Sequence, residues 1–362
     1  FRPTQAGYPS SLPNNVVLHI PRDQRTAYIQ NWQLSVQREL SPSMLLDVAY
    51  VGNHAVKLIL LADLNQARPN NVGENLPLDA RRPIPGFRSI SAVLPAAFSN
   101  YHALQVKFER RFTNGLYVLN SFTWSKAIDN VSQVLEEPGG NTGNPQNLYN
   151  LAADRGLSPY DQPFNNTTSF VWELPFGKGR AFWSEMPYAL DAVVGGWTVT
   201  GINTMVSGQT VTFRYTPSPV TANLPSFIGG VALRPNLVGN PILPKNERTI
   251  DRYFNTEAIR LPSVNQPFGN AGRNIGRGDS FYQFDFGLQK SFALPFINEA
   301  SRLEFRTEFF NLLNKTNFNA PNGSANGIVF DANGRLTSGG VFGQVRSTAP
   351  ARQIQFALKL SF

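Results

Sequence analysis

The last twelve residues read Ala351-Arg352-Gln353-Ile354-Gln355-Phe356-Ala357-Leu358-Lys359-Leu360-Ser361-Phe362. Side chains of a strand alternate between two faces. Ile354, Phe356, Leu358, Leu360 and Phe362 therefore share one face, and Gln353, Gln355, Ala357, Lys359 and Ser361 share the other. The length matches the roughly 9–11 residues with which a tilted strand crosses a bilayer. Two readings fit this stretch. One is an edge strand of a soluble antiparallel sheet. The other is the membrane-insertion strand of a β-barrel, whose final aromatic belongs to an interfacial girdle.

The composition narrows the classes. The chain has 362 residues, enough for a large core. It carries 29 Gly and 27 Pro, which call for many turns and long loops. With no cysteine, neither a disulfide framework nor a thiolate metal site can form. The net charge is +8, but no Lys/Arg run stands out, so no nucleic-acid partner is expected. No run of about 18 apolar residues occurs, so any membrane crossing must be made by strands. Phe1-Arg2-Pro3-Thr4 has no initiator Met and none of the features of a secretion signal. The expectation is one region of a longer protein.

Alternating segments recur upstream, predicting strands at 27–40, 44–56, 101–112, 116–126, 165–174, 197–206, 281–292 and 302–313 before the last one. Asn114-Gly115 predicts a tight hairpin turn, because both residues accept positive φ. A short hairpin is expected near 87–93, and Gly201 marks a possible bulge. The connections sort by parity. The shorter set is 41–43, 113–115, 175–196 and 293–301; the longer set is 57–100, 127–164, 208–280 and 314–350. Outer-membrane barrels have short periplasmic turns and long external loops, whereas a soluble sandwich has no reason to sort them. This order decides for the membrane barrel. Tyr50, Trp124 and Tyr282 then fall towards the outside, and Trp172, Trp197, Phe292 and Phe362 towards the periplasm. Lys290 sits on the apolar face near the periplasmic end, placed to snorkel. Nine strands are an odd number and bacterial single-chain barrels use even numbers, so further strands are expected upstream.

Several pieces together resemble the barrel of TonB-dependent outer-membrane receptors, in particular the Oar-like branch. They include Ser99-Asn100-Tyr101-His102-Ala103-Leu104-Gln105, Phe122-Thr123-Trp124-Ser125-Lys126-Ala127 and Arg234-Pro235-Asn236-Leu237-Val238-Gly239. Others are Gly269-Asn270-Ala271-Gly272-Arg273-Asn274, the run from Glu308 to Phe318, and the terminal Phe362. The resemblance implies an all-β, antiparallel transmembrane barrel of about 22 strands, of which residues 1–362 would be the C-terminal nine or so. It implies a plug domain upstream in the same parent chain, energy from the TonB system, lipid of the outer membrane as surroundings, and the barrel-assembly machinery as a partner. Uptake of a large solute is the function expected. A passive porin-like channel and a surface adhesion or structural barrel are the alternatives.

Candidate functional residues lie on the polar face: Lys107, Glu109, Arg111, Asp285, Arg302, Glu304, Arg306 and Glu308. They would contact the plug or a polar solute, or else form a ladder of structural ion pairs, with Asp285 expected to pair with the arginines of the neighbouring strand. His19, His54 and His102 show no metal-ligand spacing, and no nucleophile–base constellation is found, so neither cofactor nor enzymatic activity is expected. Glu136-Glu137 is a paired carboxylate in a loop without a readable pocket. The loop aromatics Tyr149, Tyr160, Phe164, Tyr253 and Phe254 either meet a ligand first or pack the loops.

Overall fold

A computed structural model describes residues 17–362 except 70, 72, 75, 88, 133–144, 216–232, 264–265, 295–297, 299–300, 326–328, 331–334 and 339. Nine long strands form one antiparallel sheet: β1 (Tyr28–Ser41), β2 (Met44–Asp63), β3 (Ile90–Thr113), β4 (Leu116–Asp129), β5 (Phe164–Glu173), β6 (Trp197–Val206), β7 (Phe281–Ala293), β8 (Arg302–Phe310) and β9 (Gln353–Ser361). Each strand is bonded to its neighbour in sequence, and β1 and β9 are the two edges of this path. The sheet is not closed on itself. Val17–His19 adds to β3 in parallel, and Gly156–Leu157 adds to β4.

The register carries one apolar face across the wall. Leu34 lies opposite Tyr50, Tyr50 opposite Leu104, and Leu104 opposite Trp124. At the other edge Leu358 lies opposite Phe305, and Phe305 opposite Lys290. These side chains face outward: Trp124 is 63% exposed and Phe356 69%. A water-soluble sheet would bury such a face against a second layer. Here it is the surface that a hydrocarbon layer requires, because the strands of a sheet pair their backbone groups with one another.

The hairpin turns behave as their residues predict. Asn114 and Gly115 take φ values of 51° and 76°, as a two-residue turn of this kind demands. Elsewhere the boundaries differ. β2 runs on to Asp63 and β3 begins at Ile90, and the two extensions pair, with Leu60 opposite Leu94 and Asp63 opposite Ser91. Among the described residues near 87–93 no separate hairpin forms; Ile90–Val93 are the start of β3. Leu60, Ala62 and Ala97 are buried there with Val131, beneath Leu148 and Leu151 of the next loop. One face, with Leu60 and Ala62, is covered, while Ile59 on the other is exposed; the sequence shows no alternation because Leu58-Ile59-Leu60-Leu61-Ala62 is apolar on both faces. β8 stops at Phe310, short of the expected 313. Asn311 turns left-handed (φ 55°) and donates its N–H to Asp285 Oδ1 at 2.8 Å.

Gly201 is not a bulge, since β6 keeps an unbroken register with both neighbours. A Cβ there would meet the ring of Phe170 at 2.4 Å, so the glycine makes room for that ring. Lys290 does not snorkel into water. It is buried, and its Nζ donates to the carbonyls of Asp191 (2.9 Å) and Ala192 (2.7 Å) in a short helix, α1 (Tyr188–Val194), inside the 175–196 connection.

Candidate functional site

The long connections fold into a layer of their own at the end of the wall away from the hairpin turns. Their core is aromatic. Phe213, Phe254 and Phe342 meet with ring centroids 4.6–5.9 Å apart, beside Val211, Tyr253 and Ile259. Phe213 and Phe254 are essentially fully buried, at 0% and 1% exposure. Gly276 passes so close that a Cβ would lie 2.9 Å from Phe213 and 3.0 Å from Phe254. Tyr253 and Phe254 are therefore loop core rather than first ligand contacts. Tyr149 donates its hydroxyl to the Gln66 carbonyl at 2.8 Å, and Phe164 packs edge-on against Phe122. Tyr160 alone of the five stands at the rim of the cavity described below.

Buried ion pairs fasten this layer to the wall. Arg273 pairs with Asp129 at the tip of β4 at 2.6 Å, and also donates to Ser132 at 2.8 Å. Arg234 and Arg277 pair with Asp154 and Asp161 of the β4–β5 connection, each at 2.5 Å. Arg82 pairs with Asp63 at the end of β2 at 3.4 Å. Arg234 also donates to the carbonyls of Ala271 and Ala153, so its fork is held from two loops. Burial raises the pKa of Asp154, and the charges of Arg234 and Arg273 pull it only partly back. Burial also lifts the Tyr215 phenol. The Arg234 and Arg273 runs were among the pieces that carried the family resemblance. Their aspartate partners lie 80 and 144 residues away, which no local pattern reports.

Three connections enclose an open cavity of about 780 Å³. Tyr160 and Gln162 come from the β4–β5 connection, and Gln209 to Arg214 follow β6. Asn274 precedes β7, and Asn319, Asn322, Gln344 and Arg346 follow β8. Among the described residues the lining holds five Asn or Gln positions from the loops around β5 to β8 beyond Asn274, two arginines and no carboxylate. Its floor is rigid. Thr212 Oγ1 donates to Asn274 Oδ1 at 2.5 Å and accepts from the Asn274 N–H at 3.1 Å, while Asn274 Nδ2 donates to the Leu157 carbonyl at 2.6 Å. A smaller cavity of about 290 Å³ lies beside Arg248, Tyr253 and Asp279. There the Tyr253 hydroxyl donates to Asp279 at 2.8 Å, and burial together with that carboxylate pushes the phenol up to about 12.

The charged residues of the polar face do not converge on either cavity. Lys107 pairs with Glu109 along β3 at 3.0 Å. Arg306 pairs with Glu304 at 3.0 Å and reaches Glu308 at 3.9 Å, all on β8. The expected pair between Asp285 and these arginines does not form, because Asp285 instead accepts from Gln283 and the Asn311 N–H. Arg111 donates its backbone N–H to the Ser43 carbonyl, and Arg302 lies opposite Ser361 at the periplasmic end. His54 bonds Asn100 and His102 bonds Tyr50, and no group of three His, Asp or Glu among the described residues could hold a metal ion. Glu136 and Glu137 lie outside the described residues.

A family model described as an outer membrane beta barrel domain matches residues 1–355. Among solved structures, the outer membrane transporter YddB from Escherichia coli is similar at 11% identity and a TM-score of 0.41, over 93% of this chain and 33% of that one. The FrpB iron transporter from Neisseria meningitidis is similar at 10% identity and a TM-score of 0.40, over 95% of this chain and 32% of that one. The chain thus spans about a third of the length of these solved chains. No curated protein matches it.

Proposed function

The chain belongs to the outer membrane β-barrel domain family, and from that premise we propose that it is the C-terminal wall of a larger, plugged, TonB-dependent receptor. It is an outer-membrane protein, so the long loops face the exterior and the hairpin turns face the periplasm. The observation that carries the reading is the loop cavity, which is built on a rigid, ion-paired layer. Amides, two arginines and an exposed tyrosine suit a large polar solute with hydroxyl and anionic groups. The absence of carboxylates from the described lining removes repulsion against such a solute. The two free edges β1 and β9 are where further strands of the same barrel would pair.

In this reading the solute is captured by the loops, the plug moves on energy from the TonB system, and the solute passes along the polar face. Lys107, Glu109, Arg111, Asp285, Arg302, Glu304, Arg306 and Glu308 form part of that path or of the plug's seat. The test is twofold. The intact protein in a planar bilayer is expected to stay closed, and steady conductance would favour a passive channel. Binding of acidic oligosaccharides to whole cells is expected to survive loss of TonB while their uptake stops. Uptake that persists without TonB would overturn the proposal.

A further inference from the structure

The 175–196 connection belongs to the periplasmic set and has a structure of its own. Its ends are clamped by Asp191, whose Oδ1 accepts from the Lys178 N–H at 2.6 Å. Gly177 and Gly195 allow this, since a Cβ at either would meet that carboxylate oxygen within 2.8 Å. The C-terminal end of α1 is tied to the outward, apolar face of the wall. Lys290 Nζ takes the carbonyls of Asp191 and Ala192, and Trp197 Nε1 takes that of Val193 at 2.7 Å. The two anchors lie opposite one another, two residues on from the Leu288–Val199 pair and so on the same, bilayer-facing side. A cation suits this helix end: the Asp191 carbonyl also accepts the Gly195 N–H at 2.9 Å, but the N–H of Gly196 turns to the Phe176 carbonyl and leaves that of Ala192 to Lys290. The helix is therefore held on the lipid side of the wall, not under its lumen.

What α1 turns away from the wall is apolar. Tyr188 is 75% exposed and Val193 67%, with Leu190 also exposed. In the same connection Trp183 is 61% exposed and holds a left-handed backbone, φ 60°, that a bulky residue rarely takes. The Pro175 carbonyl accepts from the Phe182 N–H, and Phe176 packs on the Trp183 ring at 5.1 Å, which together hold that indole outward. Lys178 and Arg180 lie on the same connection. Aromatic rings, aliphatic side chains and cations at the edge of a bilayer-facing wall are the ingredients of an interfacial membrane contact.

We propose that the 175–196 connection is a lipid-binding foot: α1 and Trp183 lie in the headgroup layer of the periplasmic leaflet, fixed there by Lys290 and Trp197. The bilayer is the occupant because this surface is continuous with the apolar face of β6 and β7. These 362 residues carry no cysteine, so none of them competes for a spin label placed among them. Leu190→Cys and Val193→Cys would be labelled in the intact protein, in nanodiscs of phosphatidylethanolamine and phosphatidylglycerol, with folding verified by heat-modifiable migration. Ser347→Cys in the outer loops would serve as the aqueous reference. The ratio of accessibility to oxygen over accessibility to a water-soluble nickel chelate is expected to be several-fold higher at 190 and 193 than at 347. Equal ratios at all three sites would overturn the lipid contact. Adding Lys290→Met is expected to lower the ratio at 190 towards the aqueous value, and no change there would overturn the role of Lys290.

Discussion

The wall and the loop layer follow opposite rules within one chain. In the wall, large apolar side chains such as Phe356 and Trp124 point outward, and the sheet is held by its own hydrogen-bond ladder. In the loop layer, Phe213, Phe254 and Phe342 point inward, and buried Arg–Asp pairs close the gaps between connections. The difference is one of solvent. Hydrocarbon gives an apolar side chain no reason to hide, so the wall needs only satisfied backbone. The loops stand in water and must bury apolar area as a soluble domain does.

The comparison breaks most readily at the aromatic core. Phe254→Ala is expected to cost the loop layer about 3–5 kcal/mol, read as faster proteolysis of residues 208–280, while the wall keeps its heat-modifiable migration. Loss of that migration as well would mean that the two regions are one cooperative unit. Arg234→Ala leaves Asp154 buried without its counter-charge and is expected to cost a similar amount, about 3–5 kcal/mol. Its pH dependence is signed. The Asp154 pKa is already raised by burial, so the native state holds that proton more tightly than the unfolded chain. The stability it contributes is greatest in acid and falls as pH rises through the elevated value. The damage from Arg234→Ala should therefore shrink as the pH is lowered, which denaturation followed across mildly acidic pH would show.

Adjacent positions on β9 sharpen the contrast between faces. Leu358→Arg should destabilise the folded barrel by about 2–4 kcal/mol in lipid, whereas Ala357→Arg on the polar face should be nearly silent in the same urea titration. Equal effects would mean that the faces are misassigned. Gly269→Ala is smaller, about 1–3 kcal/mol, because a Cβ there meets the Arg234 and Pro235 carbonyls at 2.2 Å. Tyr253→Phe is smallest near neutral pH, about 1 kcal/mol for its lost hydrogen bonds. The Tyr253 phenol titrates at about 12 in the folded state, above its usual 10, so the stability of its neutral form is present below pH 10 and lost as pH rises towards 12. The variant should lack that alkaline slope.

The wall was legible because period-two alternation is a local signal, and six strand starts or ends, at 44, 116, 197, 206, 281 and 302, stood where the alternation began or stopped. The extensions 57–63 and 90–100 carry no such signal: Leu58-Ile59-Leu60-Leu61-Ala62 is apolar at every position, although only the Leu60 and Ala62 face is buried and Ile59 is exposed. The helix α1 was hidden in a connection of only seven helical residues, whose hold on the wall comes from Lys290, 98 residues away at Ala192. The cavity was illegible throughout. Gln162, Asn274 and Arg346 meet only because Phe213, Phe254 and Phe342 join two connections and the Arg277–Asp161 pair ties in the third, and such contacts leave no period in the sequence.

The central claim is that the outer loops are a folded layer with their own core, not loose connections on a barrel. Amide hydrogen exchange on the intact protein in detergent tests it most directly. The account predicts that amides around 209–214, 253–259 and 273–277 are protected nearly as long as those of β4 and β7. Exchange of these amides within seconds, beside a protected wall, would contradict it.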